Sequence, residues 1–495
     1  MPPNDSLILT FDIGTSSTRT ALFDSGGNRV PETTFQQKYD LVTSAEGAAE
    51  LEPGNLLSAA AACLEGTLKQ LRTDRKLRGR TIAGIGVSCF WHSLIGVRAD
   101  YEPLTRIVTW ADARCAPDAA KLRSKFSERE VHRRTGCMLR ASFWPAKLAW
   151  LKRTQPRLFK RVARWVSPAE WLQTKMAGHA NCAIGMASGT GLLDQSKLTW
   201  DAELLRHCSV SPEMFGELSD APTETAGMFA DKHPELRGVP WFPGIGDGAA
   251  SNLGSGATRP GFAAINFGTS GAFRIMREGR VARAPFGLFC YRVDAKRFLV
   301  GGAISNAGNL RAWCVRELGL SGDQTVEEEL ARRTGPTHGL TVLPFWSAER
   351  APTWNEDLRG AILGLTQNTT ALDLLQAATE ATYHRLAQIE DLVLADEQRM
   401  PKVLVSGGIQ HSQSAMQRLA DVLGKPIYAN PEPEASIRGA AVYALEKLGL
   451  KPDALVLQKP LRPKPKAAKL YAEARKRQTG LETLLEKHWS EMVLH

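Results

Sequence analysis

Leu7-Ile8-Leu9-Thr10-Phe11-Asp12-Ile13-Gly14-Thr15-Ser16-Ser17-Thr18-Arg19 opens the chain with an apolar run that ends in a carboxylate. A turn of small, hydroxyl-bearing residues follows, and a second short strand passes through Ala21, Leu22 and Phe23. A turn of Gly, Thr and Ser brings backbone N–H groups close to phosphate oxygens. An Asp at the strand end can hold a hydrated Mg²⁺ through oxygen. The same pattern also describes a plain hairpin whose Asp and hydroxyls satisfy only the turn. What separates the two readings is whether the chain carries a second such turn and a carboxylate to work between them.

A second turn is present. Phe262-Ala263-Ala264-Ile265-Asn266-Phe267 is again strand-like and runs into Gly268-Thr269-Ser270-Gly271, where Thr269 can offer its hydroxyl to a phosphate oxygen. Each half then repeats a theme. In the first, a helix over 56–71 precedes a strand over 82–87; in the second, a helix over 371–394 precedes a strand over 402–405 and the turn Ser406-Gly407-Gly408. A helix over 414–423 follows that turn. Strands alternating with amphipathic helices predict an α/β chain. A hydroxyl turn in each half predicts a duplicated domain with phosphates held between the copies. The Gly-rich stretch 244–261 reads as the boundary, giving domains over 1–254 and 255–450. Residues 451–495 read as a Pro/Lys-rich basic linker and a last helix over 467–487, which either caps the second domain or makes a subunit contact; a homodimer is one arrangement it permits.

Bulk composition narrows the classes. At 495 residues the chain exceeds what one hydrophobic core organises. Hydrophobic content of 43% and charged content of 23% match a soluble globular protein. The 8 cysteines are scattered singly, which predicts reduced thiols rather than a disulfide framework or a zinc site. No basic-then-apolar leader and no apolar run of about 20 residues is evident, so a cytoplasmic location without membrane contact is expected. The net charge of +10 is spread along the chain, and its densest run lies in the terminal segment 464–477 without a recognition module, so nucleic acid is not an expected partner.

Pro243-Gly244-Ile245-Gly246-Asp247-Gly248-Ala249-Ala250 sets a carboxylate among small residues. Phosphoryl transfer to a hydroxyl needs a carboxylate that takes the proton as the phosphoryl group moves. Asp247 alone would read as a helix N-cap; beside two phosphate turns it reads as the base. Trp91-His92-Ser93 and Trp110-Ala111-Asp112-Ala113-Arg114 each follow a strand-like segment. Aromatic faces cover sugar C–H surfaces and polar groups take hydroxyls, so Trp91, His92, Trp110 and Asp112 are candidate sugar contacts; a buried structural histidine and core tryptophans are the competing reading. A P-loop, a Gly-x-Gly-x-x-Gly fingerprint, a zinc-protease motif and a nucleophile elbow are all missing.

The first turn resembles that of the actin, sugar-kinase and chaperone ATPase superfamily. In their joint order, over roughly residues 7–450, the elements resemble the FGGY carbohydrate kinases. Trp144-Pro145-Ala146-Lys147-Leu148-Ala149-Trp150-Leu151 and Arg359-Gly360-Ala361-Ile362-Leu363-Gly364-Leu365 are similar to the family's two signatures, with Trp144 where a small residue is usual. The resemblance implies two duplicated ribonuclease-H-like halves with ATP and Mg²⁺ in the cleft between them. It implies Asp12 as the metal-associated carboxylate, and Thr15, Ser16, Ser17 and Arg19 as first-turn nucleotide contacts. It further implies Asp247 as catalytic base, Thr269 on the second phosphate turn, Gly308 beside the nucleotide, and Gly408 and Ser412 on the adenosine side. Ala312 replaces the nucleotide-contacting Gln of glycerol kinases. His92 falls where xylulose kinases carry His and glycerol kinases Glu. The strings around His92, Trp110, Met186-Ala187-Ser188-Gly189 and Asp247 are most similar to the gluconate kinases of that family, whose acid substrate would want a cation such as Arg114 or Lys147. The alternatives are a kinase for xylulose or another pentulose or polyol, and a non-catalytic actin-like ATP-binding switch.

Overall fold

The computed structural model describes residues 6–320, 324–347 and 349–492. The first half is built on Leu7–Ile13 (β1), a strand buried along its whole length. It turns back antiparallel into Ser17–Phe23 (β2), which pairs with Phe35–Lys38 (β3). Helix Pro53–Thr73 (α1) starts on a proline and buries Leu56, Ala59, Ala60, Leu64 and Leu68 at helical spacing, which folds it back on the sheet. The crossover delivers Ile82–Cys89 (β4) parallel to β1. Thr223–Glu224 (β5), Pro240–Trp241 (β6) and Ile245–Gly246 (β7) complete the sheet in the order β5-β6-β4-β1-β2-β3, with β7 also on β4. β1 and β4 lie inside this sheet, which is why their sequences are nearly continuous apolar runs. The insertion over 90–222 adds a layer of helices around its own cluster, including Trp144, Trp165 and Phe215.

Helix Asp247–Gly254 (α2) leaves β7 directly. The second half repeats the first. Phe262–Phe267 (β8) turns antiparallel into Gly271–Glu278 (β9), with Phe289–Arg292 (β10) and Arg297–Ile304 (β11) outside it. After Gly308–Glu317 (α3) comes Ala371–Val393 (α4), started by a Thr370–Asp373 capping box. It delivers Lys402–Ser406 (β12) parallel to β8, and Ile427–Ala429 (β13) lies beyond. The order β10-β11-β9-β8-β12-β13 contains the same motif as β3-β2-β1-β4. The chain is thus an α/β protein of two duplicated, actin-like halves. Gln413–Leu423 (α5), Ala435–Lys447 (α6) and Pro465–Met492 (α7) finish it, the last longer at both ends than the expected 467–487.

The glycine-rich stretch 244–261 is ordered structure. It contains β7 and the buried helix α2, and its small residues serve contact with α6. A Cβ on Gly254 would lie 1.8 Å from the Ala435 carbonyl oxygen, and one on Gly439 would lie 1.8 Å from that of Ala250. α6 also seats on β4, where a Cβ on Gly86 would meet the Ala440 oxygen at 2.2 Å. Arg438 clasps the crossing by donating to the carbonyls of Gly254 at 2.8 Å and Gly27 at 3.0 Å. Although it follows the second sheet in sequence, α6 packs on the first.

All eight cysteines are buried and unpaired. Among the described residues no helix is long and apolar enough to cross a membrane.

The helix crossing makes a direct prediction. Gly439→Ala should destabilise the fold by ~1–3 kcal/mol, because the obstacle is backbone and cannot swing aside. Gly54→Ala, with nothing within 4 Å of the added carbon, should leave stability unchanged or slightly raised. Thermal melting of the two variants checks this.

Candidate active site

Strand register gathers the two acids. Asp12 of β1 sits beside Ser88 of β4, and Ser88 sits beside Ile245 of β7, two residues before Asp247. All three strands run parallel, so both carboxylates emerge at their C-terminal ends, where α/β sheets characteristically bind ligands.

The first turn is braced from outside. Gly14 N–H donates to Ser17 O at 2.9 Å, Tyr39 N–H donates to Ser16 O at 3.1 Å, and the Tyr39 hydroxyl donates to Gly14 O at 2.5 Å. Ser16 is exposed, and Ser17 Oγ accepts from Gln36 at 2.9 Å. Asp12 is nearly buried and accepts from Arg19 Nη2 at 2.5 Å, while Arg19 also bonds Glu434 just ahead of α6. Among the described residues no group of three or more His, Cys, Asp or Glu is placed to hold a metal. Mg²⁺ needs no such cluster: one or two carboxylates hold it and water and phosphate oxygens complete its shell, so Asp12 has the donor chemistry for it.

The second turn is docked on α3. Gly308 N–H donates to Gly268 O at 2.9 Å and Asn309 N–H to Thr269 O at 3.2 Å. A Cβ on Gly308 would stand 2.5 Å from Gly268 O, so glycine is required to let the helix start touch the turn. Thr269 is left exposed. Gly407, at φ +93°, presses on the Phe267 backbone, and Gly408 beside it is open, with nothing within 4 Å of an added carbon. Ser412 has local duties: its hydroxyl accepts Ala415 N–H at 3.1 Å as the N-cap of α5 and donates to Glu327 at 2.5 Å. Its side chain is therefore committed, in contrast to the adenosine contact expected of it.

Between the turns lies a cavity of about 200 Å³, lined by Thr15 of the first and Ser270 of the second. Trp91, His92, Trp110 and Asp247, all singled out in the sequence, line it together. The N-cap of α2 is Gly246, so Asp247 is not the cap, although its Oδ1 accepts Gly248 N–H at 2.7 Å. The carboxylate is open to the cavity yet ringed by protein on its other sides. Loss of hydration there raises its pKa above the usual 3.8, with Asp12 adding to the rise and Arg274 and the Gly248 N–H opposing it. The flanking glycines serve Trp91: a Cβ on Gly246 would fall 1.8 Å from the indole, and one on Gly248 2.9 Å from it. The small residues beside Asp247 thus make room for an aromatic ring.

His92 adopts φ +65°. Its Nδ1 meets the Gly189 carbonyl, which can only accept, so the proton is on Nδ1 and Nε2 is an acceptor. Burial drives its pKa down to about 3, so it is neutral; Lys147 and Arg350 push the same way against the Gly189 bond. Its ring packs edge-on to Phe143 at 4.9 Å and Tyr291 at 5.2 Å. Trp110 Nε1 donates to Thr15 Oγ1 at 2.9 Å, tying the aromatic wall to the first turn.

Three expectations do not hold in this geometry. Asp112 is outside the cavity: its carboxylate accepts Ala49 N–H at 3.0 Å and the Arg114 guanidinium at 2.6 Å. Arg114 is shared between Asp112 and Glu50 and lies over the Trp150 ring. Lys147 is buried and donates to the His92 carbonyl at 2.7 Å, with burial lowering its pKa to about 8. The cations that do line the cavity are Arg274 and Arg350, which sequence reasoning missed. Arg274 had a signal: it interrupts the apolar strand Ala272-Phe273-Arg274-Ile275-Met276. Arg350 had none, because it sits in an irregular segment without periodicity. Arg350 donates to Ser305 Oγ at 3.2 Å and Ile304 O at 2.9 Å, whereas Arg274 makes no hydrogen bond or ion pair among the described residues. Burial lowers the pKa of both guanidiniums from the usual 12.5, and both stay charged near neutrality.

Residues 7–254 match the N-terminal domain, and residues 263–446 the C-terminal domain, of the FGGY family of carbohydrate kinases. A gluconokinase of Bacillus subtilis (strain 168) is 28% identical over 90% of this chain and 88% of its own. A glycerol kinase of Chelativorans sp. (strain BNC1) is 30% identical over 90% of each chain. Among solved structures, ligand-bound xylulose kinase from Lactobacillus acidophilus superposes with a TM-score of 0.89 at 26% identity, covering 99% of this chain and 100% of that one. Domain matches over both halves, a duplicated fold and two hydroxyl turns facing one cavity lead to one assignment: the chain belongs to the FGGY family of carbohydrate kinases.

Proposed function

We propose that this kinase uses ATP to phosphorylate a primary hydroxyl of a sugar acid, with D-gluconate as substrate and 6-phosphogluconate as product. The observation that carries this reading is the pair Arg274 and Arg350 in the same cavity as Asp247. With His92 neutral, two guanidiniums against one carboxylate give the cavity wall a net charge of +1, which a monoanionic substrate neutralises. A partly buried cation without a counter-charge is costly, and a carboxylate meets a guanidinium through strong charge-assisted hydrogen bonds. An uncharged sugar could accept hydrogen bonds from them but would bring no counter-charge.

In this reading Asp247 receives the hydroxyl proton as that oxygen attacks the γ-phosphate. Its raised pKa makes it a better proton acceptor than an exposed aspartate. The first turn, through Thr15, Ser16, Ser17 and Arg19, and Thr269 of the second hold the phosphates; Gly308 fixes the second turn in place, and Gly408 leaves a flat opening for the base. Asp12 would hold Mg²⁺, which when bound supplies positive charge against the β- and γ-oxygens. His92 Nε2 accepts from a sugar hydroxyl and the Trp110 face covers C–H surface. Most of the acceleration then comes from positioning and charge. The runner-up keeps this chemistry with a ketose such as xylulose, which the aromatic and neutral-histidine wall favours. An ATP-binding switch would have no use for the Asp247 cavity.

ADP release with ATP and Mg²⁺ across gluconate, xylulose, ribulose, glycerol and other sugar acids tests the proposal. Stimulation by gluconate well above the rest is expected; a ketose-only response replaces the substrate, and none with any sugar argues for the switch. Asp247→Asn should lower kcat by about 10²–10⁴-fold with ATP binding retained. In the wild type, kcat/KM should fall on acidification as Asp247 takes up a proton, with a limb above the ordinary carboxylate pKa of 3.8. Arg274→Gln should lower kcat/KM for the acid by ~10- to 100-fold and spare any residual activity on neutral sugars.

A further inference from the structure

The C-terminal helix α7 lies beyond both family-domain matches, and nothing in the proposed chemistry uses it. It does reach the segment that carries Arg350. The described residues of 344–358 contain no helix or strand, so among them no ladder of backbone hydrogen bonds sets where Arg350 stands. Side chains do so instead. Arg385 of α4, 1% exposed, donates through Nη2 to Glu349 and to the Ala351 carbonyl at 3.3 Å, gripping the chain on both sides of Arg350. Through Nη1 the same guanidinium donates to both oxygens of Glu482 of α7, at 2.5 and 2.6 Å. Glu349 and Glu482 are 3% and 5% exposed, so the triad is dry. Leu481 and Leu485 of α7 pack on Phe345 and Leu358, at either end of the same segment. On the far side, Ala351 N–H donates to the Ala303 carbonyl at 3.1 Å, and Arg350 itself bonds Ile304 and Ser305.

Resting on the sugar-acid reading above, we infer that Glu482 of the C-terminal helix is a positioning residue for the sugar site, acting through Arg385 and Glu349 to hold Arg350 in the cavity. A buried ion triad contributes little net stability compared with apolar packing of the same volume, but it fixes geometry, and loss of one member leaves its partners free to re-pair. Without Glu482, Arg385 keeps only Glu349 as a carboxylate partner and is drawn toward it, and the Arg350 segment shifts with the pair. The nucleotide turns share no hydrogen bond or ion pair with the triad among the described residues, so the effect falls on the sugar.

The test is steady-state kinetics on the full-length chain for Glu482→Ala, Arg350→Gln and the double variant, varying sugar acid and ATP separately. Glu482→Ala should raise the KM for the acid about tenfold and leave the KM for ATP within about twofold. In the Arg350→Gln background the same change should raise the sugar KM no further than about twofold, because the residue it acts through is already gone. Parallel rises in both KM values, or the same factor in both backgrounds, would show a purely structural role and overturn the inference. Where Glu482→Ala fails to fold, Glu482→Gln, which keeps the shape and one acceptor, takes its place with the same criteria. If the wild type responds only to a neutral sugar, the sugar-acid reading fails by itself. The cycle is then run on that sugar: a KM rise abolished by Arg350→Gln upholds the positioning role, and a rise independent of Arg350 removes it.

Discussion

Contact between α2 and α6 is the constraint on which the rest of the molecule depends. Two helices meet backbone to backbone because Gly254 and Gly439 carry no side chain at the crossing. α2 begins with Asp247 at the end of the first sheet, and α6 returns from the second sheet to lie on β4. The crossing therefore holds the two sheets so that Thr15 and Ser270 look into one cavity. Larger residues there would wedge the helices apart and shift Asp247 from the second turn.

Electrostatics are sorted by position. Asp12, Arg19 and Glu434 form one chain of charges between the halves, and Asp112, Arg114 and Glu50 another beneath the sugar wall. In both, acid and base are partnered within the protein. In the cavity two guanidiniums line the wall with a single carboxylate. The imbalance is local, which the chain's overall positive charge does not foretell, since net charge shapes long-range fields and not sites.

The fold was largely legible. Long elements with clear periodicity, such as 53–73, 371–393 and β1, lie within a few residues of where the pattern puts them, because burial on one face or on both writes itself into the residue order. In the Gly-rich stretch 244–261 glycine marks close backbone approach, which residue order alone does not separate from looseness. The site was legible in part. Asp247, His92, Trp91 and Trp110 could be found since each sits in a short strand-end motif. Asp112 misled because a local partner two residues on, Arg114, absorbs its charge. Arg350 was hidden: its place depends on Arg385 and on α7, contacts that span 36 and 97 residues and leave no local pattern.

The bond from Trp110 to Thr15 has a consequence for how the two substrates meet the enzyme. One indole both lines the cavity and braces the first turn, the places the proposed reading gives to sugar and to phosphates. Occupancy of either subsite restricts that ring, so the ordering cost is met largely by whichever ligand arrives first. Thermodynamic reciprocity then requires that the factor by which sugar tightens nucleotide equals the factor by which nucleotide tightens sugar. On the proposed reading, coupling between two unlike ligands runs through a single side chain and calls for no separate regulatory site.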